Sequence, residues 1–306
     1  MPFFDILCCG ELTIDEISET SSLAEKGSVK LKSTGKFFGG RGGNFAVYAA
    51  LTGLHVGVVG SVGSDSEGVE YRNRLTERHI DISHVYNNKK AHTCKCFIFS
   101  DKEKSQIFFY GGALIEERED YLDYLKKSVN GTKHQTLYCT SPDAEVNAVL
   151  LRASRSDMKA FGPSSNIYSY SLENAKSCLE NTDILFVNEH EAEFIKKLLG
   201  IDMSELQPEF EMKAIVETMS GRGSRIFADD SVLEIRPFKA DAVADPNGAG
   251  DAFAGAFMAD YCDSEDMAHA GRFASAAASF AVEKMGCQSM IPTVKMVLER
   301  MEGGVA

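Results

Sequence analysis

Tryptophan is absent from this 306-residue chain, proline occurs only 7 times, and Lys and Arg together number 32 against 45 Asp and Glu. The scarcity of proline and a hydrophobic content of 44% exclude disordered and collagen-like chains. The formal net charge of −13 disfavours nucleic acid and anionic membranes as partners, because an acidic surface repels phosphate. A small anionic ligand stays compatible with this charge, since a few oriented backbone amides can hold it locally.

The eight cysteines form no C-x-x-C pair and no Cys/His ligand series, so a zinc site of the usual kinds is not expected. Cys94 and Cys96 flank Lys95 at strand spacing, and we expect both thiols to pack on one face of a strand. The first residues lack a basic region followed by a long apolar one. Together with the scattered cysteines, this favours a reducing, cytoplasmic location.

The longest uncharged run, Phe45 to Gly63, has the length of a membrane span but is interrupted by four glycines. We therefore expect a buried helix followed by a strand in this run, and no membrane partner.

Short apolar runs alternate along the chain with amphipathic helical patterns. The predicted strands are Phe3 to Cys9, Val56 to Val59, Thr136 to Cys139, Ile184 to Val187 and Ala214 to Glu217. The predicted helices are Asn44 to Leu54, Ser66 to His79, Glu116 to Val129, Asp143 to Arg155 and Glu189 to Leu199. This alternation predicts a doubly wound α/β fold, with a mostly parallel sheet flanked by helices. No linker or repeat divides the chain, so residues 1–306 are expected to form a single domain.

Two segments break this alternation: Ser28 to Phe38 and Thr93 to Tyr110 are β-rich, with no helix between their strands. We expect them to form a small antiparallel sheet, inserted at about residues 12–38 and 91–112. This sheet is either an edge meander or a lid that excludes water from a ligand site.

The strongest chemical motif is DPNGAGDAF, residues 245–253, at the start of a predicted helix. Its glycines allow a sharp turn that exposes the N–H groups of Gly248, Ala249 and Gly250, where the helix dipole adds positive potential. Asp251 is expected to be ionised by the same dipole and to face this anion hole. Such a pair suits a reaction in which a hydroxyl loses its proton while a phosphoryl group is stabilised. A plain helix N-cap with closely packed glycines is the structural alternative.

A second glycine cluster, GGRGGN at residues 39–44, begins a predicted helix. It lets the backbone approach a ligand closely, although glycine-rich helix starts of purely structural origin are as common. No G-x-x-x-x-G-K-[ST] pattern occurs, so a P-loop mechanism is not supported.

Together, GGRGGN, VGSVGSDSEG (residues 59–68) and DPNGAGDAF resemble the two signatures of the ribokinase or PfkB-type carbohydrate kinases, and the resemblance runs from Gly10 to about Pro292. It implies an ATP-dependent kinase with a ribokinase-like fold and a small β lid. Asp251 would be the base for the acceptor hydroxyl, and the amides of Gly248, Ala249 and Gly250 the anion hole. The acceptor-binding positions implied by the family are Thr13, Asp15, Gly39, Gly40, Arg41 and Asn44.

The resemblance also implies a nucleotide site. The N-x-x-E motif assigns Asn188 to phosphate and Glu191 to magnesium through water. Further nucleotide-binding positions are Thr218, Ser220, Gly221 and Gly223 in a turn similar to T-x-G-x-x-G, Ser275 beside adenine, and Gly248 and Gly250. The implied cofactors are Mg-ATP and a monovalent cation such as K, with Asp245 and the Gly286 turn as its candidate site.

The acceptor is expected to contain ribose, with a nucleoside slightly ahead of a free sugar. Asn247, where the family commonly has Thr, resembles nucleoside-kinase members. One carboxylate, Asp15, could bind both hydroxyls of a ribose 2,3-diol. The aromatic residues of the lid segments that could stack on a base are Phe37, Phe38 and Phe108 to Tyr110.

Three alternatives remain. A phosphosugar kinase of the same family needs basic residues near the acceptor, for which Arg41 and Lys95 are the candidates. A non-catalytic sugar or nucleoside sensor would not need Asp251, and a scaffold would need neither nucleotide nor turnover. Relatives commonly pair their lid strands between subunits, so a homodimer is also expected.

Overall fold

The computed structural model describes residues 3–23, 27–101, 104–114, 118–229 and 231–304. The strands are β1 (Phe3–Gly10), β2 (Thr13–Thr20), β3 (Leu31–Gly39), β4 (Val56–Gly63), β5 (Val85–Asn88), β6 (Cys94–Ser100), β7 (Ser105–Tyr110), β8 (Lys133–Thr140), β9 (Met158–Phe161), β10 (Ile184–Asn188), β11 (Ala214–Thr218), β12 (Ser224–Ala228) and β13 (Ser231–Ile235). The α-helices are α1 (Arg41–Ala49), α2 (Ser66–Glu77), α3 (Arg118–Asn130), α4 (Ala144–Ala153), α5 (Leu172–Leu179), α6 (Glu189–Leu199), α7 (Met203–Glu209), α8 (Ala249–Ser264), α9 (Met267–Ala281) and α10 (Val294–Glu302).

The main sheet has the strand order β13-β12-β11-β10-β9-β8-β1-β4-β5. Its strands run parallel from β11 to β5, whereas β12 and β13 are antiparallel additions at one edge. Successive residues of β1 belong to different cores: Ile6 and Cys8 pack into one hydrophobic cluster, and Leu7 and Cys9 into the other. Helices therefore cover both faces, which confirms the doubly wound α/β prediction and explains why the central strands are continuously apolar.

The predicted strands are all present, but helix α1 begins earlier and ends earlier than the predicted Asn44 to Leu54. It begins at Arg41 because the N–H groups of Gly42 and Gly43 donate to the carbonyl of Glu11, which fixes the first turn against the end of β1. A Cβ atom at Gly42 would lie 2.8 Å from the Cα of Gly10, so only glycine permits this contact. Helix α3 begins at Arg118, and the predicted start at Glu116 lies outside the described residues.

A second sheet has the order β3-β2-β6-β7. The pairs β2–β3 and β6–β7 are antiparallel, but β2 and β6 are parallel, so the expectation of a purely antiparallel sheet is wrong. The physical reason is that the chain crosses the core through β4, α2 and β5 before it returns as β6. We call this sheet the lid sheet. Whether it acts as a lid or is an edge meander stays a prediction, as do its boundaries of about 12–38 and 91–112 within a single domain of residues 1–306.

The uncharged run from Phe45 to Gly63 forms most of α1 and then β4, as expected. In the described part of the chain, no helix combines the length and apolarity that crossing a membrane requires.

Candidate active site

A cleft of about 250 Å³ opens at the carboxyl ends of β10 and β11, next to the start of α8. The carboxyl edge of a parallel sheet is where doubly wound proteins bind ligands. The lining residues that the sequence motifs singled out are Asn188, Glu191, Thr218, Gly248, Gly250 and Asp251. Folding therefore brings together two motifs that lie some 60 residues apart in the chain.

Asp251 lies in the first turn of α8, and its Oδ2 accepts a hydrogen bond of 3.0 Å from Nδ2 of Asn44. Burial raises the pKa of Asp251 to about 7, although the Asn44 hydrogen bond and the charge of Arg41 act to lower it. Desolvation therefore opposes the ionisation that the helix dipole is expected to favour, and the ionised resting state of Asp251 stays a prediction. A carboxyl group with a pKa near neutrality can both take up and release a proton, which suits a general base.

The loop before α8 is held by Asp245, which is buried. Its Oδ1 accepts from the backbone N–H and the side-chain amide of Asn247, at 3.0 and 2.8 Å, and its Oδ2 accepts from the N–H of Gly286 at 2.9 Å. Gly248 follows in a left-handed conformation with φ of 79°, and a Cβ there would lie 2.6 Å from the Cβ of Cys287. Glycine is thus required at this turn.

The glycine amides of the predicted anion hole are placed unequally. Gly248 and Gly250 line the cleft, whereas the N–H of Ala249 points to the carbonyl of Pro246 at 3.4 Å. The first N–H groups of a helix have no partner within the helix, so the start of α8 can offer donors to an anion in the cleft.

Asp15 lies on β2 of the lid sheet, opposite Phe37 of β3 and Cys96 of β6. Its Oδ1 accepts a hydrogen bond of 2.6 Å from the hydroxyl of Thr13. Burial raises the pKa of Asp15 to about 6. A Cβ atom at Gly39 would overlap the Asp15 carboxylate, so the first glycine of GGRGGN provides the space that this side chain fills.

Arg41 is largely shielded from solvent and already paired. Its Nε lies 2.5 Å from Oε1 of Glu11, its Nη2 donates to Oε2 of Glu11 at 3.2 Å, and its Nη1 donates to the carbonyl of Pro163 at 2.9 Å. Lys95 is likewise held, by Glu16 at 3.1 Å and by Glu67 at 2.8 Å. Both cations proposed for a phosphosugar are therefore neutralised by carboxylates of this chain.

The N-x-x-E motif forms a capping box at the start of α6. Asn188 Oδ1 accepts from the N–H groups of His190 and Glu191, and Asn188 Nδ2 donates to Oε1 of Glu191 at 2.7 Å. Burial raises the pKa of Glu191. The motif thus serves the helix start and at the same time presents both side chains to the cleft.

Four other predicted nucleotide positions are not among the cleft residues in the part of the chain that the structure describes: Ser220, Gly221, Gly223 and Ser275. The first three form the turn after β11, and the hydroxyl of Ser275 on α9 donates to the carbonyl of Arg236. Thr218, which ends β11, does line the cleft.

Several residues of this region carry no sequence motif, and three of them make contacts that matter here. Glu11 pairs with Arg41, Gln288 donates to Asn44 at 3.1 Å, and the ring of Tyr138 lines the cleft. A single acidic, amide or aromatic residue carries no periodic or spacing signal, so the sequence alone could not have distinguished these three from structural residues.

Comparisons with known proteins show the family and the fold of the chain. A family model described as pfkB family carbohydrate kinase matches residues 4–294. A nucleoside kinase of Methanocaldococcus jannaschii is 31% identical over 302 residues, covering 97% of this chain and 96% of the relative. The crystal structure of a nucleoside kinase from that organism, described as an archaeal member of the ribokinase family, has a TM-score of 0.87 at 29% identity and covers 99% of both chains. A Burkholderia thailandensis nucleoside kinase in complex with inosine has a TM-score of 0.86 at 21% identity, over 97% of each chain, and is similar in fold.

Proposed function

The chain belongs to the pfkB family of carbohydrate kinases and is a phosphotransferase that acts on hydroxyl groups, and we propose that it transfers the γ-phosphoryl group of ATP to a primary hydroxyl of a ribose-containing acceptor. The observation that carries this proposal is the placement of Asp251 beside Gly248 and Gly250 in one cleft. A base next to a helix start is what direct transfer to a hydroxyl requires.

In the proposed mechanism, Asp251 orients the acceptor hydroxyl and takes its proton as the hydroxyl oxygen attacks the γ-phosphorus in line. The bond from the γ-phosphorus to the β,γ-bridging oxygen breaks in the same step, and ADP leaves with that oxygen. Backbone N–H groups of Gly248 and Gly250 stabilise the charge on the transferring group, and that of Ala249 would join them once it leaves the carbonyl of Pro246. Asn188 and Thr218 contact the nucleotide phosphates, and Ser220, Gly221, Gly223 and Ser275 would contact the rest of the nucleotide. Arg41 acts to lower the pKa of the base, and its partner Glu11 opposes this effect.

Magnesium would arrive with the nucleotide. Within the described residues no group of three His, Cys, Asp or Glu side chains could hold a metal, whereas the carboxyl of Glu191 in the cleft fits a magnesium ion bound through water and phosphate. The ion would neutralise phosphate charge. A monovalent cation such as K would lie by the Asp245–Gly286 turn.

We propose a nucleoside as the acceptor, with free ribose as the second candidate. The similarity to nucleoside kinases supports this choice. Asp15, oriented by Thr13, would accept hydrogen bonds from two ribose hydroxyls, and Gly39, Gly40, Arg41 and Asn44 would shape the site. Because Arg41 and Lys95 are already paired, a phosphorylated sugar would find no free cation there.

The aromatic residues of the lid segments lie in three different environments. Phe38 packs edge-on against Tyr71 at 5.3 Å, below the guanidinium of Arg74, so its ring belongs to the core side. Phe37 lies against Gly286 and remains a candidate for contact with a base. Strand β7, by contrast, is exposed along its whole length, with Phe108 57% exposed.

We propose that the β7 edge pairs with a second copy to form a homodimer, because an exposed apolar edge strand favours pairing. We also propose a cytoplasmic location, which the free cysteines support. Sedimentation of the wild type and of Phe108→Lys would test the dimer: we expect dimers that dissociate in the variant, and a monomeric wild type would refute it.

ADP release from Mg-ATP is the test of the function, measured with ribose, fructose, fructose phosphates and the common nucleosides. We expect turnover with a nucleoside that falls by orders of magnitude in Asp251→Asn, with ATP binding retained. Turnover that survives in the variant would refute the role of Asp251. Bound ATP with no turnover on any acceptor would instead favour a sensor.

A further inference from the structure

Gln288 lies in the turn after α9 and is only 2% exposed. Its Nε2 donates to two acceptors, Oδ1 of Asn44 at 3.1 Å and the hydroxyl of Tyr71 at 3.0 Å. Asn44 in turn donates to Asp251 at 3.0 Å, and Tyr71 donates to the carbonyl of Gly39 at 2.5 Å. One buried amide group therefore connects the neighbour of Asp251 with the backbone beside Asp15.

The direction of these hydrogen bonds is fixed by the groups at their ends. The Tyr71 hydrogen is committed to a carbonyl, so its oxygen can only accept from Gln288. An ionised Asp251 can only accept, so Asn44 must present Nδ2 to it and Oδ1 to Gln288. Only the NH₂ group of Gln288 satisfies both neighbours at once.

This orientation has a local cost. The Oε1 atom of Gln288 is buried and, within the described residues, has no hydrogen-bond partner. A buried oxygen without a partner is unfavourable. The protein thus keeps the Gln288 amide in this orientation at the expense of one unsatisfied atom.

Two glycines make room for these hydrogen bonds. A Cβ at Gly43 would overlap the Tyr71 hydroxyl, and one at Gly248 would lie 2.9 Å from Nδ2 of Asn44.

From this geometry we infer that Gln288 is a positioning residue for phosphoryl transfer, which orients the Asn44 amide so that Asn44 donates to the ionised form of Asp251. The inference rests on the proposed role of Asp251 as base. Tyr71 anchors Gln288 from the opposite side. Gln288 is neutral and touches neither the reacting atoms nor, by this assignment, the substrates.

The pKa of Asp251 depends on the orientation of the Asn44 amide. The hydrogen bond from Asn44 lowers the pKa that burial raises, so a disordered Asn44 amide leaves the carboxyl harder to ionise. The other titratable groups that face Asp251 are Cys8, Glu11, Arg41, Tyr138, Glu191 and Cys287. Replacing Gln288 by a neutral residue changes none of these charges, so a shift of the pH profile would reflect orientation alone.

The experiment is the pH dependence of kcat for Gln288→Met, which keeps the side-chain length but cannot donate. We expect the acid limb of the profile to move up by about 0.5 to 1 pH unit, which lowers kcat at pH 7 about two- to fivefold. The KM values for ATP and acceptor should change by less than about threefold. Gln207→Met is the matched control, because Gln207 donates to the carbonyl of Met212 far from the cleft; it should leave kcat and the profile unchanged.

Tyr71→Phe keeps the inference testable if Gln288→Met does not fold. It removes one of the two anchors of the Gln288 amide, so the acid limb should move in the same direction by a smaller amount. Suppose that the wild type is active, that Asp251→Asn is inactive, and that the acid limb does not move in the folded Gln288 and Tyr71 variants. This result would overturn the role of Gln288 and leave the proposed function intact. Turnover by Asp251→Asn would instead overturn the function on which the inference rests.

Discussion

Glu11 and Arg41 form a buried ion pair, with 2.5 Å between Oε1 and Nε, at the junction of β1 and α1. The guanidinium also donates to the carbonyl of Pro163, which follows β9, so one side chain joins the ends of separate strands. Because both partners are largely removed from water, the charges depend on each other for stabilisation.

We predict that Glu11→Ala lowers the free energy of unfolding by about 3 to 5 kcal/mol, because it leaves a buried guanidinium without its counter-ion. Denaturant unfolding measures this loss. Glu234→Ala is the control, since it breaks an exposed pair with Arg225 and should cost less than about 1 kcal/mol. Equal losses in the two variants would contradict the prediction.

The pH dependence of turnover follows from the pKa of Asp251, which burial raises to about 7. Since the base must be ionised, kcat should fall about tenfold per pH unit below that value and level off above it. A pH profile of kcat under saturating substrates measures this. A kcat that stays constant well below neutrality would show that Asp251 is not the base.

The same pKa has a consequence for stability. The folded protein holds the Asp251 proton more tightly than the unfolded chain, whose ordinary pKa is 3.8. The stability of the wild type therefore falls as the pH rises through the window from about 4 to 7. Asp251→Asn has no charge to bury and should exceed the wild type above pH 7 by on the order of 4 kcal/mol. Thermal unfolding of both proteins tests this, and a gap that persists at about pH 4 would speak against a charge effect.

Gly39→Ala should damage the acceptor site specifically, because the added methyl group would occupy the position of the Asp15 carboxylate. We expect the KM for the acceptor to rise about tenfold or more while the KM for ATP changes little, as for Asp15→Ala. Gly303→Ala, whose methyl group would have only ordinary contacts, is the control. An unchanged acceptor KM in Gly39→Ala would refute the assigned role of Asp15.

Ser220, in the place where the family motif usually has glycine, has a φ of 54°. This left-handed conformation costs a side chain about 1 kcal/mol, so Ser220→Gly should stabilise the protein by up to about that amount. Ser177→Gly, inside α5, should instead destabilise it by roughly 0.5 kcal/mol. Melting temperatures that change in the same direction would contradict this interpretation.

The sequence by itself determined the features that depend on local backbone chemistry. Alternating apolar runs and helical patterns specified the parallel sheet, because strand and helix periods are properties of the chain. The glycines of GGRGGN and DPNGAGDAF marked the two turns that no other residue can form. Asp251 lies directly beside the second of these turns, and the N-x-x-E motif lies at the end of a strand. These features could be predicted because each lies within one short segment.

The tertiary structure decided what depends on distant segments. Glu11 pairs with Arg41, which lies 30 residues away in the sequence, and Gln288 contacts Asn44, which lies 244 residues away. Neither pairing therefore has a signature in the sequence. The parallel pairing of β2 with β6 and the early start of α1 against Gly10 follow from packing in the same way. The raised pKa of Asp251 could not be inferred from its helix position either, since it depends on burial among side chains from distant segments.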